Sequence, residues 1–167
     1  YWVEHDDTVH FDGAGGRDFG LVLGKVLYKR LARGEDWRPL EPRRITQHSN
    51  RVITVAFNVP ELPLVFDTDA VSDPGNYGFV INDDAGPVAI AAVEINRDTV
   101  RITTSADIGA NPKLAYAHYG IGGNGGGPIT GVRGNLRDSD PTVGVNGISL
   151  PNWGVGFEKP VPYLKGS

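Results

Sequence analysis

An Asp and a His three positions apart, Asp7 and His10, are the residues whose types and spacing best suit chemistry in this 167-residue chain. An imidazole can take the proton of a hydroxyl nucleophile, and a neighbouring carboxylate can hold the ring in the tautomer that this step needs. The Asp-x-x-His spacing can place both side chains on one edge of a loop. Because so short a motif is common in proteins, the segments that follow it supply much of the evidence.

An amphipathic helix is predicted directly after this motif, over residues 16–33, and is reached through a glycine-rich turn at residues 11–16. Apolar side chains recur at three- and four-residue steps and form one stripe: Phe19, Val22, Leu23, Val26, Leu27 and Leu31. We expect basic residues on the opposite face and Gly34 as the stop signal; the basic residues are Lys25, Lys29, Arg30 and Arg33. One helix cannot bury such a stripe alone, which indicates a partner domain that this sequence does not provide at that point.

The remainder of the chain has the pattern of short strands. A charged, proline-punctuated linker at residues 35–44 precedes β-branched segments at residues 52–57, 77–81, 88–95, 99–104, 114–119 and 153–157. The sequence therefore predicts a mostly β fold, in which one N-terminal amphipathic helix is followed by an antiparallel β-sandwich. The predicted organisation is a last catalytic loop and helix at residues 1–34, the linker, and an accessory sandwich domain at residues 45–167.

The stretch DTVHFDGAGGRDFGLVLGKVLYKRL at residues 7–31 resembles the last conserved block of the SGNH (GDSL-like) hydrolases. In that family an Asp-x-x-His motif, a Gly-containing turn and a final helix close a three-layer α/β/α domain. Three later stretches are similar to the end of the family's carbohydrate O-acetylesterases, in which a β-sandwich trails the catalytic domain. They are KLAYAHYG at residues 113–120, GNLRDSDP at residues 134–141 and LPNWGVGFEKPV at residues 150–161.

This resemblance implies a serine esterase that removes O-acyl groups, such as acetyl, from carbohydrate. It implies that His10 is the general base, that Asp7 is its orienting carboxylate, and that no metal or organic cofactor is needed. The family's nucleophilic Ser and oxyanion-hole residues lie in blocks that this sequence does not contain. Because a base acts only on a positioned hydroxyl, we expect inactivity without the N-terminal portion of the same enzyme, supplied by a larger precursor or as a second chain. The expected location is extracellular or virion-associated.

Trp153 is a candidate substrate-binding residue, because an indole between Asn152 and Gly154 could form an exposed platform for a sugar ring. An alternative function from a different class also fits the sequence. In that alternative, the sandwich is a non-catalytic module that binds carbohydrate or assembles a fibre or tail. A His10 that faces a cleft within hydrogen-bonding reach of Asp7, beside a Ser from another chain, would favour the enzyme. A His10 that is buried by the sandwich, or that points into bulk water with no second chain nearby, would favour the binding module.

Metal binding is a weaker hypothesis. Hard ligands are dense in residues 4–12, where His5 and His10 could join Zn or Mn through a loop. The carboxylates of Asp67, Asp69 and Asp73 could hold Ca²⁺, but the segment lacks the Gly and closing Glu of an EF-hand, so a solvated turn is predicted there and at residues 138–140. The G-x-G-x-x-G at residues 120–125 precedes no helix and predicts a surface loop.

Bulk composition argues against two classes of partner. A net charge of −4 and a pI near 5.5 disfavour nucleic acid, which usually needs a basic face. No apolar run approaches the roughly 20 residues that span a bilayer, so no membrane partner is expected. The absence of Cys removes disulfides and thiolate chemistry.

Overall fold

The computed structural model describes residues 1–7, 9–118 and 126–163, and places one α-helix before the strands. Helix α1 (Gly13–Leu27) continues into a π-helical turn (Tyr28–Ala32). The Asp12 side chain caps α1 by accepting a hydrogen bond of 2.6 Å from the Gly15 amide. Because this cap satisfies an otherwise unpaired amide, the helix starts three residues before the predicted position and includes part of the predicted glycine-rich turn.

Ten strands follow in the described part of the chain, and every pairing between them is antiparallel. They are β1 (Pro42–Ser49), β2 (Val52–Phe57), β3 (Val65–Phe66), β4 (Phe79–Asp83), β5 (Gly86–Val88), β6 (Ile90–Asn96), β7 (Thr99–Thr104), β8 (Lys113–Tyr116), β9 (Leu136–Arg137) and β10 (Phe157–Pro160). Their orders are β1-β2-β7-β6 in one sheet, β10-β8-β4-β5 in a second, and β3-β9 in a small third.

The two four-stranded sheets share one hydrophobic core. Ile53 and Val55 of β2 are fully buried and belong to the same cluster as Phe79, Ile81 and Leu114 of the second sheet. Buried residues alternate along β2, as a strand with one covered face requires. The prediction of a mostly β chain with one helix before an antiparallel sandwich is therefore confirmed.

The orientation of α1 differs from the sequence prediction. Lys25, expected on the face opposite the stripe, is 8% exposed and contacts the sandwich, and Lys29 is half-buried beside it. Four residues of the predicted apolar stripe are instead exposed at 46%, 47%, 47% and 80%, namely Phe19, Leu23, Leu27 and Leu31. The prediction that these lysines lie away from the packed face is wrong, because acceptors on the sandwich satisfy the lysine charge.

Several boundaries also shift. Strand β1 starts at Pro42, inside the predicted linker, and Tyr77 lies in a 3₁₀ turn before β4. The last strand covers Phe157–Pro160, while Trp153 forms only an isolated bridge to Arg137. The G-x-G-x-x-G motif at 120–125 lies outside the described residues. Among the helical residues described, none forms a segment with the length and apolar character needed to span a bilayer.

Candidate functional site: the Asp7–His10 loop

The Asp7–His10 pair lies on a short loop whose two ends are joined. Residues His5 and Phe11 form an antiparallel bridge, and the Asp6 amide donates to the His10 carbonyl at 3.0 Å. The rings of His5 and Phe11 also meet edge to face, with centroids 4.8 Å apart. These contacts fix both ends of the loop, so Asp7 and His10 are held near one another.

The side chains of Asp7 and His10 are hydrogen-bonded. His10 Nδ1 lies 2.8 Å from Asp7 Oδ2, and Asp7 Oδ1 accepts the amides of Val9 and His10, each at 2.8 Å. The Val9 amide, the His10 ring and then the His10 amide hold the pKa of Asp7 below its ordinary value. An ionised carboxylate only accepts hydrogen bonds, so Nδ1 carries the proton and the Nε2 lone pair is left to act as a base.

The pair is open to solvent. The side chains of Asp7 and His10 are 53% and 75% exposed. Two serine hydroxyls elsewhere in the chain donate hydrogen bonds to backbone carbonyls: Ser72 donates to Pro128, and Ser139 donates to Pro63. The arrangement can orient an imidazole and accept a proton, while water surrounds much of the ring.

Helix α1 packs tightly against the segment that leads into the loop. A Cβ placed on Gly15 would lie 2.1 Å from the carbonyl oxygen of Glu4, so only glycine permits this approach. The Asp12 amide also donates to the Glu4 carbonyl at 3.3 Å. The first turn of the helix thus fixes the strand-like segment on one side of the loop, and the helix position controls the position of the Asp7–His10 pair.

A buried polar cluster, which we call the lysine anchor and define as Lys25, Asp138, Asp140 and Asn152, attaches α1 to the sandwich. The Lys25 ammonium donates to Asp140 Oδ2 at 2.9 Å, to Asn152 Oδ1 at 2.9 Å and to the Leu150 carbonyl at 2.5 Å. These three acceptors use all three donors of a lysine. The sequence pattern missed this cluster, because the helix and its acceptors are more than 110 positions apart.

The two acidic residues of the lysine anchor are satisfied in different ways. Asp138 is fully buried and accepts the amide of Asn152 at 2.8 Å and its side-chain Nδ2 at 2.7 Å. Burial raises the pKa of Asp140, but hydrogen bonds from Thr142 and Lys25 outweigh that effect and hold the pKa well below its ordinary value. The prediction of a solvated turn at residues 138–140 is wrong for both carboxylates, since Lys25 and backbone amides replace water.

The structure gives no geometry for the metal hypothesis. Across residues 1–7, 9–118 and 126–163, no group of three or more His, Asp or Glu side chains could hold a metal ion. His5 Nδ1 lies 2.8 Å from the Val3 carbonyl. In the acidic loop Asp67 accepts the Ala70 amide and pairs with Arg137, while Asp73 accepts the Gly75 and Tyr77 amides, so these carboxylates stabilise turns.

Trp153 is half-buried at the seam between α1 and the sandwich. Its ring meets Tyr1 edge to face, with centroids 6.2 Å apart, and the Tyr1 hydroxyl donates to the Gly154 carbonyl at 2.6 Å. Trp153 lines a cavity of about 170 Å³ that does not include Asp7 or His10. A separate cavity of about 390 Å³ lies between Glu4–Asp7 and residues 126–130; Asp7 lines this cavity, whereas His10 does not.

Comparisons with known proteins give one distant structural likeness. No protein-family model matches this chain, and no curated protein matches it. A carbohydrate acetylesterase from Xanthomonas citri, known from its crystal structure, matches with 18% sequence identity and a TM-score of 0.54. The match covers 92% of this chain and 31% of that chain, so this chain spans about a third of the length of that protein. At this identity the likeness shows a shared fold.

Proposed function

We propose that this chain is the C-terminal portion of a serine esterase that removes acetyl groups from O-acetylated carbohydrate. His10 takes the proton of the serine nucleophile and returns it to the leaving sugar hydroxyl, and Asp7 keeps Nε2 free for both transfers. The observation that carries the proposal is the 2.8 Å contact between His10 Nδ1 and an Asp7 carboxylate already fixed by two amides.

The exposed apolar face of α1 supports a further domain against this helix. We call this face, formed by Phe19, Leu23, Leu27 and Leu31, the apolar helix face. Because water contact with such a stripe is unfavourable, we infer that the apolar face of an α/β catalytic domain covers it and supplies the nucleophile and oxyanion donors. The same domain would enclose His10, whose ring is 75% exposed here.

We place that domain on the same polypeptide. In the Xanthomonas citri protein, the region of matching fold is 31% of one longer chain, which gives no support for a second chain. In this proposal residues 1–34 complete the catalytic domain and residues 45–167 form its sandwich, held together by the lysine anchor. The alternative of a non-catalytic glycan-binding or fibre module gains no specific support from the comparisons.

The proposal is tested by acetate release from an acetylated polysaccharide, measured with the 167-residue chain alone and with a longer polypeptide that carries the chain together with its upstream catalytic portion. The isolated chain should release no acetate, whereas the longer polypeptide should release it and lose this activity with His10→Ala. His48→Ala is the matched control, because His48 is an exposed histidine on β1 that contacts Thr54 and lies outside the Asp7–His10 loop. Equal activity in both forms would overturn the proposal.

A further inference from the structure

We propose that the cavity between α1 and the sandwich, walled by Trp2 and Trp153, is a binding subsite for one neutral pyranose ring. The cavity has a volume of about 170 Å³. Its lining combines residues from three parts of the chain. Trp2 comes from the N-terminal segment, Asp18 and Val22 come from α1, and Asp67, Arg137 and Trp153 come from the sandwich. We define these six residues as the tryptophan subsite; only its carbohydrate class rests on the proposed function.

The lining chemistry suits a sugar. An indole offers a broad apolar surface with one polar edge, which matches the C–H face of a pyranose, while hydroxyls need fixed donors and acceptors around that face. Both tryptophans of the tryptophan subsite are half-buried. Part of each side chain is therefore exposed to a ligand, while the rest is packed against the protein. Small-molecule sites typically combine such aromatic walls with a few placed polar groups.

The polar groups of the tryptophan subsite are held in place before any ligand arrives. Arg137 Nε donates to Asp67 at 2.6 Å, its Nη1 donates to the Asp138 carbonyl at 2.7 Å, and Asp67 also accepts the Ala70 amide at 2.8 Å. Preorganised groups lose little freedom on binding. Asp67 neutralises Arg137, and Arg17 pairs with Asp18 at 2.7 Å. The subsite therefore has no surplus cation for a carboxylated sugar and favours neutral rings.

The volume sets the size of the ligand. Pockets that enclose drug-sized molecules typically have volumes of roughly 300–1,000 Å³, and 170 Å³ is well below that range. A single ring fits this volume better than an oligosaccharide. The tryptophan subsite excludes Asp7 and His10, so it would hold a sugar of the substrate away from the reacting ester.

The three indole N–H signals of the chain provide a site-resolved test. Two belong to Trp2 and Trp153, and the third belongs to Trp37, which lines a different cavity. We would titrate the ¹⁵N-labelled 167-residue chain with the methyl pyranosides of glucose, galactose, mannose and xylose, and with methyl glucuronide. The proposal predicts saturable shifts at Trp2 and Trp153 with at least one neutral glycoside, weaker binding of the glucuronide, and no saturable shift at Trp37.

Three variants separate this proposal from the catalytic one. Trp153→Ala should lower the affinity for the neutral glycoside by about three- to tenfold, as loss of an aromatic contact does. Trp37→Phe should leave this affinity unchanged. His10→Ala, which removes the proposed base, should keep the indole shifts. Absence of saturation with all four neutral glycosides, saturation at Trp37 instead, or tighter binding of the glucuronide would overturn the subsite while leaving the esterase test untouched. If Trp153→Ala fails to fold, the wild-type titration alone decides.

Discussion

His10 Nδ1 and Asp7 Oδ2 lie 2.8 Å apart on a loop in which the same Asp7 side chain also accepts two backbone amides. The carboxylate thus organises the loop as well as the ring. Since both side chains are more than half exposed, these contacts, rather than burial, hold the imidazole in position. Chemistry at the pair requires a hydroxyl and an enclosing surface in front of the ring.

The loop should lose local protection when its carboxylate is removed. In Asp7→Ala, the amides of Val9 and His10 lose their acceptor, so their hydrogen exchange should accelerate by roughly fivefold to tenfold, as for a lost capping contact of about 1 kcal/mol. Hydrogen exchange followed by NMR measures this effect. Asp6→Ala is the control and should leave both amides unchanged; equal acceleration in the two variants would contradict the assigned contacts.

Gly15 and Gly16 form a matched pair on the first turn of α1. Gly15→Ala places a methyl 2.1 Å from the Glu4 carbonyl, so the helix must move away from the segment before the Asp7–His10 loop. Gly16→Ala meets no atom within 4 Å and replaces glycine with a better helix former. Thermal unfolding should show a clear loss of stability for Gly15→Ala, and a change between zero and a gain of about 1 kcal/mol for Gly16→Ala. Similar effects at both positions would refute the close packing.

Lys25 should be the most sensitive charged residue of α1. Lys25→Met leaves Asp140 buried without its principal cation, and breaking a buried pair in this way costs about 3–5 kcal/mol in the free energy of unfolding. Arg30→Met removes an exposed partner of Asp36 and should cost at most about 1 kcal/mol. Urea unfolding of both variants measures the difference.

The double variant Lys25→Met/Asp140→Asn supplies the control for this prediction. If the two groups stabilise each other, the double variant should be less destabilised than the sum of the single variants. Each single variant leaves one charge of the pair buried without the other, whereas the double variant removes both charges. Additive losses would show that Lys25 and Asp140 act independently, against the 2.9 Å contact.

The lysine anchor also predicts an acid dependence. The folded pKa of Asp140 lies below the ordinary value of 3.8, so folding favours its ionised form. The stabilisation is complete above that ordinary value and is lost as the pH falls through it towards the lowered folded pKa. The difference in free energy of unfolding between wild type and Asp140→Asn should therefore be largest near neutral pH and shrink below about pH 4. A difference that stays constant from pH 7 to pH 2.5 would contradict the ion pair.

The sequence predicted those features that depend on local patterns. Alternating β-branched residues located β2 and β7. The burial of Lys25 could not be predicted, because a lysine on a helix is ordinarily solvated and its acceptors Asp140 and Asn152 reach it only through tertiary folding. The periodicity of α1 identified an apolar stripe correctly but could not show that another face contacts the sandwich.

The most direct test of the central claim is acetate release from an acetylated carbohydrate by the longer polypeptide. The rate is compared between the wild-type protein and the His10→Ala variant, and folding is verified for both. Because triad residues act as a unit, loss of the base should reduce the rate by at least about a thousandfold. The account predicts that loss for His10→Ala and nearly full activity for His48→Ala, which changes an exposed histidine on β1 outside the loop. Undiminished acetate release by the folded His10→Ala protein would contradict the account.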